Sequence, residues 1–583
     1  MMGPLGAITS PTPALYTIPA GRPFLKDLIR PLMDFYAEDP VAIADLTLFL
    51  PNRRAVRSVS KIFYDIALEK KMSPDAVFLP RLRALGDVDE EDLLFTGGAP
   101  PDIFDLNPAA DPQDRRFILA HLVAKKRAQE GKGVYWPSIL QAADELASLL
   151  DSFHLEDVPL TSLENLVPPD VVENAAEHWQ QSLEFLSIIT TYWPDIMAEK
   201  GWMEPAARQQ ALIRGLTQII VDEAKSRPVI VAGSLGTVRA TGELMAAVAR
   251  SPMGAVVLPG LDKDLDEKAW TEIDPPHPQA LFRERLRRDF KGLSRQEITL
   301  WPHTDENSSK EGNARRAFLS LALRPAKATD DWYARFQDFC ATERITAATK
   351  GFHLIAADTE EEEASLVALR IREALEVPEK TIMLVSPDRQ LCRRVTEKLL
   401  GWQIEVDDTG GVPVGGTYRG TFLRNAAQWL SDPLNPGLLL TLLKHDLCQL
   451  GLAKSVMSAN ISEIDKALRG PQYWTDTEGL FDRLSPQISE DAMKVITTLF
   501  SWGEEFWSSL DLRDKIFAHI SLCERLADNT QMTGAERLWR YEDGEQLALI
   551  LNGILKSDVL PEDNNTSVYA KLFEALLGQG VVR

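Results

Sequence analysis

Residues 227–262 read RPVIVAGSLGTVRATGELMAAVARSPMGAVVLPGLD, and this stretch decides the fold class. Its apolar run Val229–Ala232 predicts a buried strand that ends in a Gly-Ser turn. The residues that follow predict a helix over Thr241–Arg250 and a second strand over Ala255–Leu258. A strand, a helix and a strand in immediate succession indicate an α/β domain with a parallel sheet.

A second stretch of the same kind lies near the N-terminus, at residues 45–71. It reads DLTLFLPNRRAVRSVSKIFYDIALEKK, in which Leu46–Leu50 predicts a strand and Pro51-Asn52 a turn. From Arg53 onward the apolar residues recur at helical spacing, namely Val56, Val59, Phe63 and Ile66. This stretch therefore predicts a strand that leads directly into an amphipathic helix.

The α/β pattern resumes after residue 350. FHLIAAD at 352–358 and KTIMLVSP at 380–387 predict two strands, and a helix is predicted after each of them. Residues 105–225 are predicted to be mostly helical, as is the chain from about residue 433 to its end. The sequence thus predicts α/β domains that are interrupted by helical insertions.

The composition is that of an ordinary soluble protein, with 45% hydrophobic and 26% charged residues. No apolar run approaches the roughly 18 residues that a membrane helix needs, and the N-terminus lacks the pattern of a secretory signal. Four isolated cysteines indicate a reducing cytoplasm, with neither a disulfide framework nor a zinc site. The net charge of −23 argues against nucleic-acid binding by bulk charge, but residues 1–83 hold 11 Lys/Arg against 8 Asp/Glu.

Two short motifs suggest a metal site, but periodicity and context argue against both. The run QIIVDEAKS ends in Asp222-Glu223, but its apolar residues recur at helical spacing, which predicts a helix end instead of a magnesium-binding strand. Pro194-Asp195 with Glu223 and Lys225 matches the spelling of a restriction-type nuclease, but both halves lie in helical surroundings. The histidines show no metal-ligand spacing. We therefore assign no catalytic residue and no metal ligand.

A basic face follows the first predicted strand. Arg53, Arg57 and Lys61 recur at intervals of four residues, with Arg54 beside them, on the side opposite the apolar residues. Cations in this arrangement can hold the phosphates of a nucleic-acid strand. A solvated helix face has the same pattern, so periodicity leaves both interpretations open.

Residues 16–28, YTIPAGRPFLKDL, raise the question of a nucleotide site. Lys26 stands in the register of the lysine of a phosphate-binding loop, G-x-x-x-x-G-K-[ST]. The glycine positions of that loop hold Ala20 and Leu25, however, and its hydroxyl position holds Asp27. The lysine is thus retained, while the backbone and metal-binding features of the loop are not.

Several long stretches, taken in order along the chain, resemble the AddB family. They are YTIPAGRPFLKDL, LTLFLPNRRAVRSVSKIF, FLPRLRALGDVDEEDLLF, AEHWQQSLEFLSIITTYWP, VIVAGSLGTVRATGELMAAVA, GAVVLPGLDKDLDEKAW and IEVDDTGGVPVGGT. The likeness is to the N-terminal, helicase-like portion of the alphaproteobacterial double-strand-break repair subunit. It spans nearly the whole chain.

The resemblance implies a degenerate superfamily 1 helicase-like fold with two RecA-like (P-loop NTPase-like) domains, each carrying a large helical insertion. Residues 1–104 and 226–350 then form the first domain and 105–225 its insertion. Residues 351–432 form part of the second domain, and 433–583 its helical insertion, which is truncated. The resemblance further implies a C-terminal nuclease domain after these residues, and we expect this chain to be a truncated, split or decayed gene product without it.

The resemblance also indicates which parts of an ATPase site this sequence does not have. In the position that resembles the metal-binding strand of the motor, VIVAGSLG offers no carboxylate, and Pro23 removes a backbone N–H donor from the loop. We therefore expect a vestigial nucleotide site with Lys26 alone, and no ATP hydrolysis. The family's magnesium and iron–sulfur sites lie in the nuclease domain, so no cofactor is expected in this chain.

The resemblance implies two partners, the AddA subunit and DNA with a double-strand end or a single strand. It also implies a cytoplasmic location and no association with a membrane. AddAB resects broken ends for homologous recombination. Arg53, Arg54 and Arg57 resemble the strand-contacting motif of the first motor domain, and Arg81 and Arg83 are second candidates for phosphate contact. Two alternatives stay open: an active ATP-dependent helicase or translocase subunit, and a protein-interaction remnant without DNA binding.

Overall fold

The computed structural model describes residues 13–70, 77–85, 105–165, 184–302, 304, 309–341, 344–471, 474–578 and 580–582. Residues 86–104 of the predicted first domain and residues 176–183 of the motif AEHWQQSLEFLSIITTYWP lie outside these ranges. The chain divides into two compact units. The first unit comprises Met1–Ala110, Leu150–Pro168 and Pro194–His353, and the second comprises Asp111–Leu149, Pro169–Trp193 and Leu354–Arg583.

A six-stranded sheet forms the centre of the first unit. Its strands are β1 (Leu15–Ile18), β2 (Thr47–Leu50), β3 (Arg81–Ala84), β4 (Val229–Ala232), β5 (Gly254–Pro259) and β6 (Thr299–Leu300). They lie in the order β3-β2-β4-β5-β1-β6, and every pair is parallel. The first unit is thus a mixed α/β structure whose sheet is consistent with a RecA-like domain.

The helices of the first half of the chain are α1 (Phe24–Phe35), α2 (Arg53–Glu69), α3 (Pro112–Gln129), α4 (Trp136–Glu156), α5 (Trp193–Lys200), α6 (Pro205–Glu223), α7 (Arg239–Arg250), α8 (Glu267–Thr271) and α9 (Ala280–Asp289). Three helices follow in the first unit, namely α10 (Lys310–Ala322), α11 (Trp332–Ala341) and α12 (Arg344–Thr349), whereas α3 belongs to the second unit. The described residues between 105 and 225 are mostly helical, as the sequence predicts.

Helices cover both faces of the sheet. On one face, α1 and α2 bury residues such as Leu28 and Phe63 against Leu48 and Ile230. On the other face, α6, α7 and α9 pack against the alternate strand residues, among them Phe49 and Val231. Burying each such side chain contributes roughly 1.5–3 kcal/mol, which explains why the central strands are continuous apolar runs.

The second unit is largely helical. Its later helices are α13 (Glu360–Leu375), α14 (Arg389–Leu400), α15 (Tyr418–Ser431), α16 (Pro436–Leu443), α17 (Lys454–Leu468), α18 (Thr477–Leu484), α19 (Glu490–Ser508), α20 (Leu512–Ala527), α21 (Gly534–Leu538), α22 (Tyr541–Lys556) and α23 (Tyr569–Leu577). Two short antiparallel strands, β7 (Val412–Pro413) and β8 (Val581–Val582), pair with each other. Among the described residues, no helix is long and apolar enough to cross a bilayer.

The strands predicted at 46–50, 229–232 and 255–258 are confirmed, each to within one residue at either end. The strands predicted at 352–358 and 380–387 are wrong, because neither run pairs with another described strand. Apolar residues of both runs are solvent-exposed instead: Leu354 is 99% exposed and Met383 is 83% exposed. A strand needs a ladder partner, and an apolar pattern supplies none by itself.

Candidate nucleic-acid interface and the phosphate-loop position

The carboxyl edge of the parallel sheet is where the loops after β1, β2, β4 and β5 emerge. The chain leaves β1 toward α1 on one face of the sheet, whereas it leaves β5 toward the helices of the other face. The loops after these adjacent strands therefore run to opposite faces of the sheet, which makes this position a topological switch point. In open α/β sheets, ligands bind in the crevice at such a point.

Side chains of the protein itself occupy this crevice. The ring of Phe24, the first residue of α1, lies over Gly233 at the end of β4, where an added β-carbon would be only 3.2 Å from the Phe24 Cε1 atom. A β-carbon on Gly260, after β5, would lie 3.4 Å from the Ala20 Cβ atom. The backbone of Gly233 has a φ of 77°, which favours glycine at this turn. Apolar atoms of Phe24 and Ala20 thus lie close against the glycine turns that follow β4 and β5.

Asp27 is neutralised within the loop. Its Oδ2 atom accepts a hydrogen bond from the Arg22 Nε atom at 2.6 Å, and the two side chains are only 12% (Arg22) and 13% (Asp27) exposed. The loop therefore supplies the cation that balances this carboxylate. The charge of Arg22 is thus offset within the loop by Asp27.

Lys26 is engaged elsewhere. Its Nζ atom lies 2.6 Å from one carboxylate oxygen of Glu69, the last residue of α2, and Arg30 Nη2 lies 2.7 Å from the other. The hydrogen bond from Lys26 is the main cause that lowers the pKa of Glu69. The lysine keeps the register of a phosphate-binding loop, but its ammonium group is bound to α2.

We expect MgATP to leave the thermal midpoint of the protein unchanged, because a ligand stabilises the folded state only if it binds there. Lys26→Ala is likewise expected to change stability little, since the Glu69 pair is exposed and Arg30 remains. Differential scanning fluorimetry of both proteins, with and without MgATP, measures this. A rise of the midpoint with MgATP that Lys26→Ala abolishes would restore the active-motor alternative.

The basic face predicted for α2 is present at the same edge of the sheet. Asn52 caps the helix by accepting a hydrogen bond from the Ala55 backbone N at 2.9 Å. The cations Arg53, Arg54, Arg57 and Lys61 are all exposed. The opposite side of α2 is buried in the core. The positive end of the helix dipole adds to these charges, so the start of α2 is an anion-attracting surface.

Arg81 and Arg83 do not join this surface. Both lie on β3, where Leu82 between them packs with the α2-side core, so their side chains leave from the other face of the sheet. Arg81 Nη1 lies 3.5 Å from Glu223 Oε1, which also accepts a hydrogen bond from the Thr47 hydroxyl at 2.9 Å. The structure thus separates the five candidate arginines into two sets.

No protein-family model and no curated protein matches this chain.

The two motifs that suggest a metal lie on helices, as predicted. Asp222 and Glu223 end α6, and Asp222 pairs with Lys225 at 2.6 Å. Asp195 belongs to α5. Within the described ranges, no group of three or more His, Cys, Asp or Glu side chains is placed to hold a metal ion.

Sequence reasoning missed the groups that close the crevice. The sequence patterns do not point to Phe24 or to the Arg22–Asp27 pair, although an aromatic residue at the first position of the helix is a visible signal. The partner of Lys26 was also missed, since Glu69 lies 43 residues away along the chain.

Proposed function

We propose that this chain is the helicase-like scaffold of an AddB-type subunit, which holds a DNA strand and docks on an AddA-type partner in the cytoplasm without hydrolysing ATP. One observation carries the proposal: the exposed basic start of α2 stands at the carboxyl edge of a sheet consistent with a RecA-like domain, where Phe24 packs on the Gly233 turn. These two features together support a chain that binds a DNA strand and does not hydrolyse ATP.

The proposal includes a second RecA-like domain and helical insertions, as in the AddB family. Only the sequence resemblance supports the second RecA-like domain, since the structure gives helices α13 and α14 packed on each other in the described residues 351–402 and no paired strand beside them. The proposed complex resects double-strand breaks for homologous recombination. In it, this chain contributes DNA binding and assembly, whereas catalysis belongs to other parts of the complex.

The triple variant Arg53/Arg54/Arg57→Ala is expected to lower the affinity for single-stranded DNA about 10- to 100-fold at moderate salt. Each phosphate contact contributes about 0.7 to the slope of log K against log salt for single strands, so the slope should fall by about 2. Fluorescence anisotropy with a labelled oligonucleotide over a salt series measures both quantities.

The control variant Arg370/Arg393/Arg469→Ala removes three exposed arginines of the second unit, each of which pairs with a carboxylate three or four residues away in the chain. It changes the net charge by the same amount, so it should leave the slope unchanged if the α2 contacts are specific. An affinity and a slope unchanged in the α2 variant would remove α2 from the binding surface. A separate variant, Arg81/Arg83→Ala, tests the set on the other face of the sheet.

A protein-interaction role without DNA binding is the second candidate, and the net charge of −23 favours it. It predicts that the chain binds an AddA-type subunit but shows no salt-dependent affinity for single-stranded DNA. Co-purification with the partner, together with the anisotropy titration, separates the two functions.

A further inference from the structure

An exposed tyrosine in the second unit has an unusual backbone. Tyr541 is the first residue of α22 and has a φ of 63°, in the left-handed region that residues other than glycine rarely adopt. Its side chain is also solvent-exposed, with 60% of the residue accessible. A large aromatic residue held in a costly conformation at the surface calls for a functional explanation.

Two arginines flank the Tyr541 ring. The guanidinium carbon of Arg419 lies 4.9 Å from the ring centroid, and that of Arg540 lies 4.8 Å from it. Arg419 is fixed in place, because it pairs with Asp543 at 2.8 Å and donates to the Arg537 carbonyl at 3.0 Å. Its side chain is only 10% exposed, so it supports the ring from the inside.

Arg540 differs from Arg419. It is exposed, and within the described residues no carboxylate pairs with it. Its charge is therefore available to an anion that approaches Tyr541. A guanidinium is planar as well as charged, so it can also stack on a flat ring.

A second exposed tyrosine begins the neighbouring helix. Tyr418, the first residue of α15, is 48% exposed, and its ring lies 4.9 Å from the His445 ring at an angle of 35°. The Asp543 carboxylate accepts hydrogen bonds from both the backbone N and the side chain of Arg419. This carboxylate ties the starts of α15 and α22 together, so two exposed rings stand on adjoining helix ends.

We infer that the Tyr418 ring and the Arg540 guanidinium, which is held against the Tyr541 ring, form a platform on which the bases of a single-stranded nucleic acid stack. An ammonium ligand is disfavoured because Arg419 and Arg540 already flank the ring. The platform therefore suits a ligand that is flat and carries negative charge, as bases with their phosphates do. This inference rests on the proposed DNA-binding function but uses residues far along the chain from α2.

The test uses oligodeoxythymidylate with one 2-aminopurine, whose fluorescence responds to stacking. Tyr541→Gly is the main variant, because glycine adopts the observed φ without strain and the fold should be retained. We expect it to lower the affinity about 10-fold and to remove the 2-aminopurine response, with the salt slope unchanged. Tyr541→Phe should keep both.

Arg540→Ala is expected to lower the salt slope by about 0.7, the contribution of one phosphate contact to a single strand. Tyr333→Ala is the matched control, since Tyr333 is another exposed tyrosine, at 70%, in the first unit. It should bind oligodeoxythymidylate as the wild type does.

The outcomes separate this inference from the proposed function. Wild-type affinity and an unchanged 2-aminopurine response in Tyr541→Gly would overturn the platform, whatever the α2 variant does. Loss of binding in Tyr541→Gly but not in Arg53/Arg54/Arg57→Ala would support the platform and refute the role of α2. If the wild type binds no oligodeoxythymidylate and Tyr541→Gly weakens only a protein partner, both the platform and the DNA-binding function are wrong.

Discussion

Replacing Arg116 with methionine is expected to lower the free energy of unfolding of the second unit by about 3–5 kcal/mol. Arg116 lies on α3 and forms a two-point ion pair with Asp144 on α4, at 2.7 and 2.8 Å. It also donates to the carbonyls of Ala575, at 2.6 Å, and Leu576, at 3.0 Å, in the last turn of α23. The two side chains of the pair are only 11% and 21% exposed.

Methionine matches the length of the arginine stem but leaves the Asp144 carboxylate and two helix carbonyls without their donor. Arg116→Lys should rescue little, because an ammonium group cannot reproduce the planar, two-point geometry. Urea denaturation followed by circular dichroism measures the loss. Arg393→Met is the control, since Arg393 forms an exposed pair on α14 that is worth at most about 0.5 kcal/mol. A loss below about 1 kcal/mol in Arg116→Met would contradict the expected result.

Acidification from pH 7 to pH 5 is expected to cost the second unit about 2 kcal/mol through His519 alone. The ring is fully buried, and burial lowers its pKa to about 3. Its Nε2 atom donates to the Leu423 carbonyl at 3.0 Å, and its Nδ1 atom accepts from the Tyr569 hydroxyl at 3.0 Å. Both ring nitrogens are thus satisfied only in the neutral form.

The sign of this pH dependence of stability follows from proton binding by the folded and unfolded states. An unfolded chain protonates this histidine below its ordinary pKa of about 6.5, whereas the folded chain does not until about pH 3. The unfolded state therefore binds more protons in this window, and stability falls as the pH falls through it. The contribution is fully present above about pH 6.5.

His519→Gln isolates this effect, because glutamine can keep hydrogen bonds without titrating. The difference in unfolding free energy between pH 7 and pH 5 should be smaller by about 2 kcal/mol in the variant than in the wild type. His353→Gln, at an exposed position, should behave as the wild type does. Equal pH dependence of wild type and His519→Gln would show that His519 does not contribute.

The central strands could be predicted because their signal is local. VIVA and AVVL are uninterrupted apolar runs between turn residues, and the structure buries every side chain of β4 and of the AVVL run in β5. The helical end at Asp222-Glu223 could be predicted for the same reason, since its apolar residues repeat at helical spacing. These features depend on neighbours in the chain and need no distant partner.

The features that could not be predicted depend on distant contacts. The apolar runs at 352–358 and 380–387 have the local pattern of strands, but pairing depends on partners that the pattern does not specify. The register of Lys26 is visible in the sequence, whereas its bond to Glu69 is set by the packing of α1 against α2. The separation of Arg81 and Arg83 from α2 follows from which face of β3 is buried, and this too is a tertiary property.

The position of β1 in the sheet has a consequence for synthesis on the ribosome. β1 emerges first, but both of its neighbours, β5 and β6, are encoded much later; Thr17 and its partner Leu258 are 241 residues apart. At roughly 5–20 residues per second, β1 waits about 12–50 s before either edge can pair. During that time the nascent chain exposes an apolar strand with two open edges. We expect this protein to need a holding chaperone during translation more than a chain with local strand order does.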